Sequence, residues 1–290
     1  MIRHYLRQAA DRVTQIIYAR RRFKLLMRMS FGAVDLRLHA IAAATDFFSN
    51  VVRPVVINAP FGNSVLVVAP HQDDEVIGCG GAMAMQRHRG NAPHIVVLQD
   101  GANEHKQVSL TRDQLRELRN AESRAAARVI DSNEPIFLGC RDLEAESNVI
   151  ADALRKLIEA RRVDAIFTPF VLDGHPDHRV CNVILADVLR KVDRDVRVLQ
   201  YEVWANCLPN VVVVIDEVMQ QKEEMLSCFH FANSALDYAH ATKGLNMFRS
   251  RLLPSGVARY VEAYFEMPRE EYLELVRAVA KAGHDSAVND

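Results

Sequence analysis

The central part of the chain alternates between short apolar runs and longer segments with helical periodicity. The apolar runs predict strands at residues 64–70, 94–99, 135–138, 164–168, 196–204, 211–215 and 259–265. Between them, apolar residues at three- and four-residue spacing predict helices at 78–89, 111–130, 148–160, 179–190 and 269–281. Strands that alternate with helices of this length predict an α/β fold, a Rossmann-like, mostly parallel sheet with helices on both faces.

The first part of the chain has a different pattern. We expect residues 1–50 to form a basic helical arm and residues 51–290 to form a single domain. Within residues 1–28, eight arginines and lysines stand against one acid, Asp11, and apolar residues recur at near-helical spacing. Three interpretations remain open: a surface helix docked on the domain, peripheral contact with an anionic membrane, and a mitochondrial targeting segment.

Composition and charge narrow the class of protein. The formal net charge is −1, so the surface as a whole has no strong field for nucleic acid. The five cysteines are odd in number and form no C-x-x-C, which indicates a reducing, cytoplasmic location without disulfides or a thiolate zinc site. No apolar run reaches the ~18–20 residues of a membrane-spanning helix, and no secretory signal is recognisable.

Two clusters of histidines and acids follow predicted strands. The segment HQDDE spans residues 71–75 after the first strand, and GHPDH spans 174–178 after the strand at 164–168. The carboxyl ends of parallel strands meet at one edge of a sheet, where ligands bind in this class of fold. Burying adjacent carboxylates costs several kcal/mol unless a positive charge lies between them. The two clusters therefore predict a cation site at this edge.

The residue types indicate which cation. His71 and Asp74 lie three residues apart across the turn, and their nitrogen and oxygen donors suit zinc. One histidine from the second cluster would complete a two-histidine, one-carboxylate site with open positions, which is the catalytic pattern. The same donors hold non-haem Fe²⁺ in oxygenases. A non-catalytic sugar- or metal-binding protein, or a solvated acidic turn at a helix N-terminus, are the other interpretations.

Together the motifs resemble a known family. The segments APHQDDEVIGCGG and GHPDH, supported by LRELRNAESRAAARVI, YEVW and VEAYF, resemble the PIG-L/LmbE family of zinc-dependent N-acetylglucosaminyl de-N-acetylases over residues 64–266. The resemblance implies an LmbE-like fold. It also implies a hydrolase that removes acetyl from an N-acetylglucosamine-type sugar in a glycan, glycolipid or glycoside. A lipid-linked acceptor is suggested by the basic arm.

The resemblance also implies a role for each matching residue. The zinc ligands would be His71, Asp74 and His178. Asp73 would act as the general base, and protonated His175 would stabilise the negative charge of the transition state. Asp177 would support the orientation or charge of His175, and Arg119 would contact the substrate.

Several positions depart from the family pattern or have two interpretations. Gln72 occupies a place where many relatives have proline, and Asp173 occupies a place where some have tyrosine. Asp100 ends the second predicted strand and either lines the pocket or caps the turn. Tyr201 and Trp204 either form a sugar-binding wall or belong to the core. The sequence leaves the oligomeric state open.

Overall fold

A computed structural model describes residues 54–103 and 106–287 of the chain, with side chains described up to residue 281. The basic arm predicted for residues 1–50 lies outside these ranges. The strands are Val55–Val56 (β1), Val65–Ala69 (β2), His94–Gln99 (β3), Ile136–Cys140 (β4), Ala165–Pro169 (β5), Arg197–Tyr201 (β6), Val211–Val214 (β7) and Val261–Pro268 (β8).

Helices connect most of these strands. They are Asp74–His88 (α1), Arg112–Val129 (α2), Ser147–Arg161 (α3), Pro176–Leu189 (α4), Met219–Ser227 (α5), His230–Asn233 (α6), Tyr238–Arg249 (α7) and Arg269–Ala287 (α8), with a 3₁₀ turn at Ser250–Leu252. In the part of the chain that the structure describes, no helix is both long and apolar enough to cross a lipid bilayer.

The eight strands form one sheet in the order β1-β7-β8-β6-β5-β2-β3-β4. Neighbours pair in parallel except where β8 runs antiparallel to β6 and β7. The predicted single α/β domain with a mostly parallel sheet is confirmed. From β2 the chain winds outward through β3 and β4 and then returns to β5 on the other side of β2. The carboxyl ends of β2 and β5 therefore flank the topological switch point, where such sheets bind ligands.

Strand β2 shows why the sheet is buried on both faces. Leu66 and Val68 pack into one apolar cluster with side chains of α3, α4 and α8. Val65 and Val67 point the other way and pack with side chains of α1, α2 and α5. Successive strand residues face opposite sides, so a strand covered on both faces is apolar throughout.

Helix α1 begins earlier than the sequence predicts. The predicted start was residue 78, but the helix begins at Asp74 and has a break in its backbone at Cys79. The Glu262 carboxylate of β8 accepts the N–H groups of Gly81 and Ala82 and so caps the second half of the helix. The sequence pattern near residue 78 predicts a helix start because the second segment of α1 begins next to it, after the break at Cys79.

Gly78, at the end of the first half of α1, allows the helix backbone to lie close to the ring of Tyr201. A Cβ at Gly78 would lie 2.0 Å from the ring of Tyr201. The Tyr201 hydroxyl in turn donates to the Val68 carbonyl oxygen at 2.9 Å. Residues 74–78 are therefore pressed against the sheet, and Tyr201 belongs to the core.

Helices α5, α6 and α7 are absent from the sequence prediction. In α7 the residues turned inward are Thr242, Asn246 and Arg249, which carry no apolar periodicity. Two of these residues have partners that favour their burial: Asn246 Nδ2 donates to the Val261 carbonyl, and Arg249 pairs with the buried Glu202. In α5 one of the inward residues is Lys222. Pattern-based prediction fails where helices bury polar faces.

Candidate metal centre and active site

The turn after β2 places Asp73 in a strained backbone conformation. Asp73 is the N-cap of α1, with φ 112° and ψ −34°, a region that residues other than glycine rarely adopt. Its N–H donates to Glu75 Oε2 at 3.0 Å, and Glu75 Oε1 accepts the Ser123 hydroxyl at 2.8 Å. Glu75, the third acid of HQDDE, thus fixes the backbone of Asp73, the first acid. The Asp73 side chain faces the pocket.

Three of the predicted residues bring donor atoms together beneath the pocket. Asp74 Oδ2 lies 3.1 Å from His71 Nδ1 and 3.2 Å from His178 Nε2. Two donors bound to one tetrahedral zinc at ~2.0–2.2 Å would lie about 3.4 Å apart. His178 is fully buried, yet neither ring nitrogen makes a hydrogen bond of acceptable geometry. An unsatisfied imidazole nitrogen facing a carboxylate fits a metal ligand, so this donor set suits zinc or a similar divalent ion.

A second carboxylate stands behind each of the two histidines. His71 Nε2 lies 3.0 Å from Asp177 Oδ2. His178 Nδ1 lies 3.2 Å from Oδ1 of Asp173, which is itself fully buried. Carboxylates in this position fix the tautomer and orientation of metal-binding imidazoles. Both carboxylates come from the segment 173–177, so one short segment contacts the histidines from both sides of the switch point.

Asp177 contacts both His71 and His175. Its Oδ2 lies 3.0 Å from His71 Nε2 and 3.9 Å from His175 Nδ1. Its predicted support of the orientation or charge of His175 stays a prediction. Gln99 Nε2 donates to the same Oδ2 at 2.9 Å. The side chain of Asp177 is turned towards the end of β3, and its shorter histidine contact is with His71.

His175 lies beside the ligands at the pocket surface. Its Nδ1 accepts the Asp177 N–H at 3.2 Å as the cap of α4, which leaves the proton of the neutral ring on Nε2. Burial and the nearby charges of His71 and His178 lower the pKa of His175. A neutral His175 ring would donate through Nε2, and the protonated form in the transition state stays a prediction. The ring nitrogens of His71, His175 and His178 lie within 4.8 Å of one another.

The electrostatics of the cluster favour a positive charge beside the ionised carboxylate of Asp74. Burial alone would raise the pKa of Asp74, but the charges of the adjacent His178 and His71 lower it well below its usual range. Burial likewise opposes charge on His178 and His71, yet the neighbouring carboxylates raise the pKa values to about 10 and about 9. Burial raises the pKa of Asp73 to about 7, against the opposing charge of Arg119.

Arg119 lies between the turn and the pocket, as its predicted role requires. Its guanidinium donates to the carbonyl oxygens of Gln72 at 2.9 Å and Gly101 at 3.1 Å, and lies 3.5 Å from Asp73 Oδ2. Contact between Arg119 and substrate stays a prediction. The guanidinium joins the turn that carries Asp73 to the loop after β3.

Gln72 shows how the turn forms without proline. Its Nε2 donates to Asn120 Oδ1 at 2.8 Å, which ties the turn to α2. Its Oε1 would lie 2.1 Å from a Cβ at Gly101, where φ is +65°. The glycine therefore makes room for the glutamine in both space and backbone conformation.

Asp100 does not line the pocket. Its carboxylate accepts two hydrogen bonds from Arg112, at 2.6 and 2.7 Å, and one from the Ala102 N–H at 3.1 Å. It is 1% exposed. The substrate-binding interpretation is corrected, because the charge of Asp100 is already matched by an arginine and the turn. The capping interpretation describes the contacts found.

The cavity above the cluster measures about 360 Å³ and has two unlike sides. The cluster forms the polar side. Trp204, Phe231 and Tyr238 dominate the other side, with Val203 and Val108 beside them. Sequence analysis named Trp204 as a candidate but missed the two aromatic residues of α6 and α7, because helical structure there was not predicted.

The comparisons with known proteins agree with this geometry. Residues 66–189 match the family model described as PIG-L, GlcNAc-PI de-N-acetylase. Over these residues, which are less than half of the chain, the sequence is similar to that family. The matched range contains β2 from Leu66 onward, all of β5 and every residue of the HQDDE and GHPDH motifs.

A curated relative of this chain is the probable N-acetyl-alpha-D-glucosaminyl L-malate deacetylase 2 of Bacillus subtilis (strain 168). The two are 31% identical over 139 residues, which cover 45% of this chain and 63% of the relative. Since the match spans less than two thirds of that protein, its activity bears on this chain as a proposal.

Solved structures share the fold of this chain. The N,N'-diacetylchitobiose deacetylase from Pyrococcus horikoshii superposes with a TM-score of 0.63 at 22% identity, covering 72% of this chain and 85% of that one. GalB, the 4-carboxy-2-hydroxymuconate hydratase from Pseudomonas putida KT2440, gives a TM-score of 0.57 at 18% identity, covering 71% and 96%. At these identities the fold alone is shared, and it accommodates two different reactions.

Proposed function

We propose that this chain is a metal-dependent hydrolase that removes the acetyl group from an N-acetylated amino sugar of the N-acetylglucosamine type. The observation that carries the proposal is the buried donor set of His71, Asp74 and His178, with the Asp73 carboxylate beside it in the pocket wall. The family match and the deacetylase relatives support the reaction.

These three side chains would hold the ion, with Asp177 and Asp173 orienting the two histidines. A zinc ion bound there would supply an activated water near neutral pH and polarise the amide carbonyl. Fe²⁺ is the alternative metal for the same donors.

The chain itself supplies the proton transfers. The Asp73 carboxylate accepts a proton from the water that attacks the amide carbon. The Nε2–H of His175 donates to the carbonyl oxygen as negative charge develops there. The C–N bond then breaks, and Asp73 returns its proton to the amine nitrogen. The products are acetate and the free amino sugar.

Metal content and acetate release together test the proposal. We would purify the full chain and its His71→Ala and His178→Ala variants, reconstitute each with zinc, and measure metal by elemental analysis. Acetate release from N-acetylglucosamine glycosides and glycans would then be measured on the loaded wild type. We expect about one metal per chain, lost in both variants, and metal-dependent acetate release.

Other outcomes would contradict the proposal. No bound metal in folded, zinc-reconstituted protein would remove the hydrolase mechanism and favour a sugar-binding protein. Bound metal with oxygen-dependent product formation would favour an oxygenase. Hydration of an unsaturated acid without acetate release would favour a hydratase reaction like that of GalB.

The finer proposal concerns location and acceptor. We propose a cytoplasmic enzyme whose basic residues 1–28 contact an anionic membrane that carries a lipid-linked substrate. The support is the charge of that segment in the sequence. Flotation with anionic liposomes should be strong for the full chain and weak for a chain lacking residues 1–28. Equal flotation would contradict membrane contact through the arm.

A further inference from the structure

The apolar side of the cavity is built from parts of the chain beyond the matched family range. Trp204 lies in the loop after β6, Phe231 in α6 and Tyr238 at the start of α7. The rings of Trp204 and Tyr238 meet edge to face, with centroids 6.1 Å apart. The guanidinium of Arg119 lies 5.4 Å from the centroid of Phe231. We call Trp204, Phe231 and Tyr238 the aromatic wall.

Hydrogen bonds to the main chain hold the wall in place. The N–H groups of Trp204 and Ala205 donate to Asp173 Oδ2 at 3.0 and 3.1 Å. The Phe231 N–H donates to Glu122 Oε1 at 3.0 Å. A wall anchored to the orienting carboxylate of the metal site is a built surface with a fixed position relative to the reacting centre.

The wall is accessible as well as apolar. Trp204 is 50% exposed, although it is the largest aromatic side chain in the protein, and its neighbour Val108 is 42% exposed. Exposed aromatic faces beside a catalytic cavity are typical of ligand contacts.

The charges around the cavity exclude one class of ligand. Among the lining residues that the structure describes, Arg119 is the only lysine or arginine. Its donors already serve two carbonyl oxygens and approach Asp73. A phosphate or dicarboxylate on the sugar would need several such donors and would also meet the carboxylates of the cluster. The cavity thus offers little to an anionic group.

We propose that the aromatic wall binds an apolar aglycone, an alkyl or aryl group attached to the amino sugar, and selects against anionic aglycones. The proposal rests on the proposed function for the identity of the sugar. The ligand preference of the aromatic wall can be measured independently of deacetylation.

The single tryptophan makes that measurement direct. Trp204 is the only tryptophan in the sequence, so intrinsic emission reports on the wall alone. Hexyl glucoside, methyl glucoside and glucose 1-phosphate contain no amide and are not deacetylated. We would titrate each into the zinc-loaded full chain below the micelle concentration. We expect a shift of emission to shorter wavelength with hexyl glucoside and little change with the other two ligands.

Kinetics tests the same preference on substrates. We expect kcat/KM for the phenyl and hexyl glycosides of N-acetylglucosamine to exceed that for the methyl glycoside by roughly 10-fold, equivalent to about 1.4 kcal/mol. N-Acetylglucosamine 1-phosphate should do no better than the methyl glycoside. Tyr238→Ala and Trp204→Ala should each reduce the hexyl-to-methyl ratio several-fold. Phe248→Ala, an exposed aromatic residue elsewhere on α7, is the matched control and should leave the ratio unchanged.

The outcomes separate this inference from the proposed function. Acetate release with no preference for apolar aglycones, or with preference for the 1-phosphate, overturns the aromatic wall while the hydrolase stands. A hexyl-specific emission shift without acetate release from any glycoside supports the wall and removes the hydrolase. Equal emission shifts with all three glucose derivatives overturn the wall irrespective of catalysis.

Discussion

The two sides of the cavity are built in opposite ways. The metal side concentrates six functional residues in two short motifs, at the ends of strands β2 and β5. The aromatic wall draws its three rings from a loop and two helices spread over residues 204–238. The metal side is polar and mostly buried, and the wall is apolar and partly exposed. Under the proposed function, reaction chemistry and substrate choice would be carried by separate parts of this fold.

The largest effect should come from removing the base on the metal side. Asp73→Asn removes the proton acceptor but keeps the size of the side chain and leaves the donor set untouched. We expect acetate release to fall by roughly 10²–10⁴-fold with metal content unchanged. Asp113→Asn, an exposed aspartate of α2, is the control. A near-normal rate in the Asp73 variant would rule out its role as base.

Loss of a ligand should affect the metal itself. His178→Ala removes a fully buried donor of the proposed set. Metal affinity should therefore fall by more than ~100-fold, which exceeds the usual cost of losing a side chain that only orients a ligand. Competition with a chromophoric chelator measures it, with the exposed His88→Ala as control. Undiminished affinity would exclude His178 from the site.

Substitution of Asp173 tests whether the metal side of the cavity and the aromatic wall are structurally coupled. It faces His178 Nδ1 and also accepts the main-chain N–H groups of Trp204 and Ala205. Asp173→Ala should weaken metal binding by ~10–100-fold and also shift the emission of Trp204. Asp173→Asn keeps an accepting oxygen and should recover part of both effects. A change in metal affinity with no change in emission would show that the two sides are independent.

The smallest effect should come from the wall's other anchor. Glu122→Ala removes the acceptor of the Phe231 N–H, worth about 1 kcal/mol, so KM for a hexyl glycoside should rise about fivefold and more than kcat falls. Glu122→Gln keeps an acceptor and should restore most of the affinity. The exposed Glu117→Ala is the control. Equal changes in KM for hexyl and methyl glycosides would contradict an effect through the wall.

The sequence was informative where function follows strand ends. HQDDE and GHPDH are contiguous, and parallel topology brings the ends of their strands together, so the donor set followed from spacing and family resemblance. It was less informative about partners within the site. The carboxylate of Asp177 lies closer to His71 than to His175, and that of Asp100 pairs with Arg112. Neither the rotamer of a side chain nor its charge partner can be read from its position along the chain.

The sequence by itself determined the class of fold, the parallel sheet and the two motifs that meet at its switch point. Apolar periodicity indicates which faces of the helices and strands are buried. The carboxyl ends of parallel strands lie at the same edge of the sheet. Tertiary structure alone decided the orienting role of Asp173, the break in α1 and the aromatic wall. These depend on contacts between residues distant in sequence, and on helices whose buried faces are polar, so no local pattern records them.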